Sequence, residues 1–525
     1  MAETLHSKWR GIALVAAVLA LSSLARLPYL RQGNLSPDAA DYMNIARNIA
    51  RGRGPIHSIK WHFFTAHPAI HSAIGERPLL YPLLLVPFCR GDYPARACQY
   101  VTLLMTVAAL GLAAAWARHL GFTWRPVAIG TVLLAFNPGL AMNSVYPLTE
   151  PLYLVWLFGL LLIVGRDNDS PRAARVAGLL TALAYLTRPS AAAIAIGLSL
   201  WYVYRRAFPA LANYLLTLAL LLIPWWAIVW AVRGNPFYSV QGFHLLVSDI
   251  RDGMAAGYGV VFPRPLEFLS AHAPTVLSKA GAHTIAYVEQ LFGPIYLSLL
   301  SVFVFLRLAR RRSENRTAAT SSDGPCYAIA LCHFALLAMT WATFDYIRFM
   351  APCFALFVVP AVAEMDDWVG RLAARRLRVA AWLLVLGAIG FIYFDEWAQL
   401  YRQVIDGRRQ DLSMQVARIE FDRIVAANAT VVSSDPFSCN YYFDRPTIIL
   451  PDAPDSAQRM QLLERFLDEY RPDYLVLKRI EAKTLSPLIE RGRLRPAGIL
   501  GVVDLHIFRV ISPFGATADG ASFRQ

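Results

Sequence analysis

The chain has 525 residues, 56% of them hydrophobic and 16% charged, with a mean hydropathy of +0.42. Soluble globular proteins carry about 25% charged residues, so the composition excludes a soluble chain and indicates an integral membrane protein. The formal net charge of +14 does not call for nucleic acid, because membrane proteins keep surplus Lys and Arg in their cytoplasmic loops. The six cysteines include no CxxC pair, which gives neither a disulfide framework nor a metal knuckle.

In chain order, apolar runs of the length that crosses hydrocarbon, about 17–25 residues, fall near 11–30, 97–117, 126–142, 149–165, 173–187, 190–204, 210–232, 290–306, 325–342, 349–363 and 379–397. They predict an all-α polytopic membrane domain of about eleven transmembrane helices. Basic residues gather in alternate connections: Lys8 and Arg10, Arg118 and Arg125, Arg166 with Arg172 and Arg175, Arg205 and Arg206, 307–316, and 371–378. By the positive-inside rule the N-terminus is then cytoplasmic and the C-terminal tail extracytoplasmic. The first run also reads as a signal peptide, with Ser23 and Ala25 at a small-residue cleavage site; an uncleaved span is preferred because it anchors the loop that follows.

This topology exposes five connections on the outer side: a first loop over 31–95, NSVYPLTE (143–150), TRPS (187–190), a loop of some fifty residues from 233, and FDYIR (344–348). From residue 398 the long apolar runs stop. The tail predicts a helix near 411–427, strands at ATVVSSDP and RPTIILP, a helix at SAQRMQLLERFLDEY, and strands at DYLVLK and VVDLHIFRV. The expected organisation is a membrane domain over 1–397 and a small soluble α/β domain over 398–525.

Charged residues collect at the outer ends of the predicted spans: Asp38, Asp41, Glu76, Arg77, Glu150, Arg188, Asp345 and Arg348. A transporter more often places such groups near the midplane, on broken helices within inverted repeats. Acids and arginines at an outer surface suit displacement of a sugar from a lipid phosphate. A carboxylate takes the proton of the acceptor hydroxyl, and guanidinium groups neutralise the departing phosphate.

Other features carry alternatives. In SPDAADY, Ser36 or Asp38 reads either as a helix cap or, for Asp38, as a catalytic carboxylate. Arg77 and Arg348 read as phosphate ligands or as residues snorkelling to the interface, and Glu76 as a structural pair. Among His57, His62, His67 and His71, the last two have the i,i+4 spacing of a helical metal pair. Pro68 between them fits only the first turn of a helix, so they read as a weak divalent-metal site or as ordinary loop histidines. The Asp-x-Asp in RDNDSPR (166–172) reads as a solvated turn, and no P-loop or GxGxxG fingerprint occurs.

The stretches SPDAADYMNIARNIARGRG (36–54), ERPLLYPLLL (76–85), YPLTEPLYLVWL (146–157), LAYLTRPSA (183–191) and DYIRFMAPCFAL (345–356) together resemble the GT-C superfamily of polyprenyl-phosphate-sugar-dependent glycosyltransferases. Within it the chain is similar to bacterial relatives of protein O-mannosyltransferases and of the lipid A aminoarabinose transferase. The resemblance implies an inverting membrane glycosyltransferase of the cytoplasmic membrane with Asp38 as general base and Arg77, Arg188 and Arg348 facing the donor phosphate. Asp41, Tyr42, Glu150 and Tyr346 would serve the acceptor or support the charged groups. It also implies three kinds of partner: a polyprenyl-phosphate-linked sugar, membrane lipids, and a glycan, lipid or protein acceptor. Ala39 follows Asp38 where the superfamily often has a second acid, so that role is absent here or passes to Asp41. Some members need a divalent metal and others do not.

Overall fold

A computed structural model describes residues 2–31, 36–63, 70–166, 170–240, 265–291, 298–313, 324–340, 346–451 and 456–511. These divide into two compact units: a first over 2–55, 73–240 and 265–407, and a second over 56–72 and from 408 onward.

The first unit is helical. Its leading elements are α1 (Ala2–Arg26), α2 (Pro37–Ala50), α3 (Leu80–Leu85), α4 (Ala95–His119), α5 (Trp124–Phe136), α6 (Pro138–Val145), α7 (Glu150–Arg166), α8 (Pro171–Thr187), α9 (Ala192–Tyr204) and α10 (Phe208–Arg233). Later helices span Pro265–Ala271, Ala273–Leu291, Ser298–Ser313, Gly324–Thr340, Tyr346–Gly370 and Arg375–Ile424, the last of which belongs to the second unit from residue 408. Among the described residues, five helices are long and apolar enough to cross a membrane by themselves, or six if α5 with α6, bent by 57° at Asn137–Pro138, is counted as one span. The apolar runs among the described residues fall on helices, several of them, such as Glu150–Gly165, Pro189–Tyr204 and Gly324–Met339, shorter than a full span. The protein is a multi-pass membrane protein.

In lipid there is no hydrophobic gain from pairing helices, so close approach at small residues becomes important. A Cβ on Gly178 of α8 would lie 2.7 Å from the backbone oxygen of Tyr214 in α10, and one on Gly197 of α9 would lie 2.7 Å from the Ile329 Cα. The core between the helices is closed by large buried rings, among them Trp116, Tyr153, Phe158, Tyr202 and Tyr214.

The second unit is α/β. Its strands are β1 (Ile56–His57), β2 (Ile59–Lys60), β3 (His71–Ser72), β4 (Val431–Ser433), β5 (Thr447–Ile449), β6 (Tyr474–Lys478), β7 (Leu494–Leu500) and β8 (Leu505–Val510). Six of them form one sheet in the order β2-β5-β4-β6-β8-β7. The first four run parallel; β8 is antiparallel to β6, and β7 to β8. Helices Pro436–Phe443 and Ser456–Tyr470 connect β4 to β5 and β5 to β6. Arg445 knits the edge of this unit, donating to Ala426 O at 2.8 Å, Phe443 O at 2.7 Å and Asp422 Oδ1 at 2.8 Å.

Two features differ from the sequence expectation. The helix expected near 411–427 is the last third of one 50-residue helix, Arg375–Ile424. No proline interrupts that stretch, so the helix continues after its apolar side chains give way to polar ones. The sheet also recruits β2 from the first loop, with Ile59 opposite Thr447 and Lys60 opposite Ile448; two residues carry too little periodicity to be read as a strand.

Candidate active site

The site is built where α2 begins. Ser36 is the N-cap, its hydroxyl accepting from Ala39 N at 3.2 Å, and Pro37 takes the first helical position. Proline loses nothing there, since that N–H has no partner within the helix. Because Ser36 does the capping, the carboxylate of Asp38 is left to other partners. It lies in the first turn, where the helix dipole favours an anion.

From Asp38 the charges alternate in both directions. Arg77 donates from Nη2 to Asp38 Oδ1 at 2.7 Å and from Nε to Asp41 Oδ2 at 2.6 Å. Arg348 donates from Nη1 to Asp38 Oδ2 at 2.7 Å and from Nε to Glu150 Oε1. Arg188 pairs with the same Glu150 oxygen. The line is therefore Asp41, Arg77, Asp38, Arg348, Glu150, Arg188: three carboxylates and three guanidiniums, with each interior member touching two of opposite sign. Asp38 is the opening in it. Its side chain is 21% exposed, against 0% for Asp41 and 2% for Glu150.

Five separate segments supply these groups. Asp38 and Asp41 lie one turn apart on α2, and Glu150 opens α7. Arg188 follows α8 in an extended conformation, φ −157°, before the turn Pro189–Ala191. Arg348 is in the first turn of Tyr346–Gly370. Arg77 ends a tight turn in which Arg77 N donates to Ala73 O at 3.3 Å. Gly75 in that turn has φ +83°, and a Cβ there would come within 2.8 Å of the Tyr238 ring.

Aromatic rings hold the guanidiniums in place. The Arg77 guanidinium lies 5.3 Å from the Tyr42 ring, and Phe349 has Arg188 at 4.7 Å and Arg348 at 5.5 Å. Tyr42 meets Tyr81 edge-on at 5.4 Å, and Tyr81 hydrogen-bonds through its hydroxyl to Thr102 at 2.8 Å. Burial by itself pushes the Asp38 carboxyl up, but the charges of Arg77 and Arg348 outweigh it and hold the group well below the usual carboxylate range. Burial raises the Tyr42 phenol.

The structure thus brings together Asp38, Asp41, Tyr42, Arg77, Glu150, Arg188 and Arg348. The side chain of Tyr346, Asp345 and His67 lie outside the described residues. His71 is not on a helix: it sits in β3 opposite His57 of β1, the two rings 5.3 Å apart, so the i,i+4 geometry of a helical metal pair does not apply to it. The strand at His71 fits a stretch whose sequence carries no helical periodicity. Glu76 is a structural pair, bound by Arg233 Nη2 at 3.2 Å, while Arg233 Nε donates to Ile74 O at 2.9 Å. Sequence reasoning missed Arg233 and Phe349. The first was signalled only as a basic residue ending α10, the second only as the neighbour of Arg348.

The fold, a polytopic helical membrane unit with a small α/β unit, is shared with solved structures of low sequence identity. Among solved structures it is similar to ArnT from Cupriavidus metallidurans bound to undecaprenyl phosphate, with TM-score 0.60 and 13% identity, covering 98% of this chain and 100% of that one. The apo state of the same ArnT gives TM-score 0.59 and 12% identity over 97% and 99% of the two chains. The Archaeoglobus fulgidus oligosaccharyltransferase, tethered to an acceptor peptide containing an NVT sequon, gives TM-score 0.55 and 13% identity over 88% of this chain and 68% of that one. No protein-family profile and no curated protein sequence matches the chain.

Proposed function

We propose that the protein is an inverting glycosyltransferase that moves a sugar from a polyprenyl-phosphate carrier to an acceptor hydroxyl on the outer side of the cytoplasmic membrane. Its N-terminus is then cytoplasmic and its C-terminal unit extracytoplasmic. The observation that carries this reading is a partly exposed carboxylate, Asp38, clasped by two buried arginines from distant parts of the chain. The ArnT of similar fold binds undecaprenyl phosphate, the kind of anion such arginines recognise.

In the resting site Asp38 is a poor base, because two guanidiniums stabilise its ionised form. An entering donor phosphate competes for Arg77 and Arg348. As they turn toward the phosphate, Asp38 loses favourable charge and gains an anionic neighbour, and both effects raise its proton affinity. The donor thereby activates the base. Asp38 then takes the acceptor O–H proton while the acceptor oxygen bonds to the anomeric carbon. The bond from that carbon to the phosphate oxygen breaks, and the lipid phosphate leaves with the electron pair, stabilised by Arg77, Arg348 and Arg188. Asp41 and Glu150 keep the three arginines aligned, and the Tyr42 ring backs the Arg77 guanidinium.

Reconstitution in liposomes with a polyprenyl-phosphate sugar and an envelope extract tests the class. Mass spectrometry is expected to find a new glycoside with release of lipid phosphate. Movement of intact donor across the bilayer without a new glycosidic bond would instead support a transporter.

A further inference from the structure

The sheet of the second unit has its own crevice. From β4 the chain passes through Pro436–Phe443 to β5 on one side, then returns through Ser456–Tyr470 to β6 on the other side of β4. Connections that diverge in this way leave a gap outside the carboxyl ends of the strands, the usual place for ligands in open α/β sheets. Here the gap is a cavity of about 230 Å³, lined by residues at and beyond the ends of β4 and β6, by Gln410, Ser413 and Met414 of the long helix, and by the apolar Val502, Val503 and Leu505.

The chemistry of its lining narrows the occupant. Asp435 already caps the helix Pro436–Phe443, its Oδ1 accepting from Ser438 N at 3.1 Å. The place an anion would take at that helix start is therefore filled by a carboxylate. Ser434 at the same end donates to Glu481 Oε2 at 2.8 Å, and that oxygen also accepts from Lys478 N at 3.0 Å. Two carboxylates and one ammonium around the mouth disfavour phosphates, nucleotides and acidic sugars. The hydroxyls of Ser413 and Ser438, the Asp435 carboxylate and the Lys478 ammonium offer donors and acceptors from several directions. Phe443 supplies an apolar wall. A cavity smaller than the roughly 300–1,000 Å³ of drug-sized sites suits a single ring.

We infer that the α/β unit binds one neutral pyranose unit of a glycan in the crevice between the carboxyl ends of β4 and β6. This saccharide site is separate from the Asp38 cluster and stands whether or not the transferase reading holds.

Saturation-transfer NMR on the full-length protein in a sugar-free detergent tests it, with methyl α-D-glucopyranoside, methyl α-D-mannopyranoside and methyl α-D-galactopyranoside as probes and D-galacturonate as the charged comparison. At least one neutral glycoside is expected to receive saturation, and Asp38→Asn should leave that signal unchanged. Ser413→Trp, which fills the cavity, should abolish it. Lys478→Met, at an exposed side chain, should weaken binding about tenfold, the worth of one charge-assisted hydrogen bond. No signal from any neutral glycoside, preference for galacturonate, or a signal unchanged in both Ser413→Trp and Lys478→Met would overturn the inference.

Discussion

The helix Tyr346–Gly370 carries a buried glutamate–arginine cluster at each end, and the two differ in construction. Arg348 and Glu364 are separated by about 24 Å at 1.5 Å per residue, most of the roughly 30 Å of hydrocarbon. At the far end Glu364, fully buried, takes Arg310 at 3.0 Å and Arg307 at 3.8 Å, and Arg310 also meets Asp367 at 3.2 Å. Both arginines there come from the single helix Ser298–Ser313, so these ion pairs tie that helix to Tyr346–Gly370. At the near end Glu150 likewise sits between two arginines, but the groups come from five segments and the line continues to an acid that solvent can reach. Closing two helices needs only the first arrangement. Five segments converging on one accessible carboxylate go beyond what helix packing requires, and this is why the near end is read as a reaction site.

Substitutions can break this contrast. The largest effect is expected for Asp38→Asn, which keeps shape and one hydrogen bond but removes the base. Turnover should fall by about 10²–10⁴-fold, the range for loss of a general base, while binding of polyprenyl phosphate, followed by tryptophan fluorescence, is retained. Next is Arg348→Lys. One ammonium cannot hold Asp38 and Glu150 as the guanidinium fork does, and loss of one charged hydrogen bond of about 1.5–3 kcal/mol predicts a fall in kcat/KM of about ten- to a hundredfold. At the far end Glu364→Gln should leave kcat unchanged and lower thermal stability, with about 1–3 kcal/mol lost from the buried pairing. Equal loss of turnover at both ends would erase the distinction. The smallest effect is expected for Ser36→Ala, about 1 kcal/mol for a lost cap, visible as faster amide exchange in the first turn of α2.

Much of the site was legible because an ionised group at the end of a membrane span is costly and therefore sparse. Asp38, Asp41, Arg77, Glu150, Arg188 and Arg348 stood out for that reason, and motif order linked them to one superfamily. What the sequence could not supply was who touches whom. Glu76 and Arg77 are neighbours, yet one pairs with Arg233 and the other with Asp38 and Asp41, a division set by the Gly75 turn. The apolar runs marked the helices well, since each must be a nearly continuous hydrophobic stretch. In the α/β unit, Ser456–Tyr470 and the strands DYLVLK and VVDLHIFRV were readable from periodicity. Strand β7, written LRPAGIL, was not, because its proline and glycine argue against a strand and it is accommodated by a register shift between Pro496 and Gly498.

The account turns on Asp38 being held down by two guanidiniums until the donor phosphate takes them. Since its folded pKa lies below the ordinary carboxylate value, the stability it contributes is fully present above that ordinary value and is lost only as pH falls through the depressed one. The most direct test compares the acid limbs of kcat/KM, which reports the free enzyme, and kcat, which reports the loaded one. The account predicts a kcat limb at clearly higher pH than the kcat/KM limb, and its disappearance in Asp38→Asn. Coincident limbs, or a kcat limb that survives in Asp38→Asn, would contradict it.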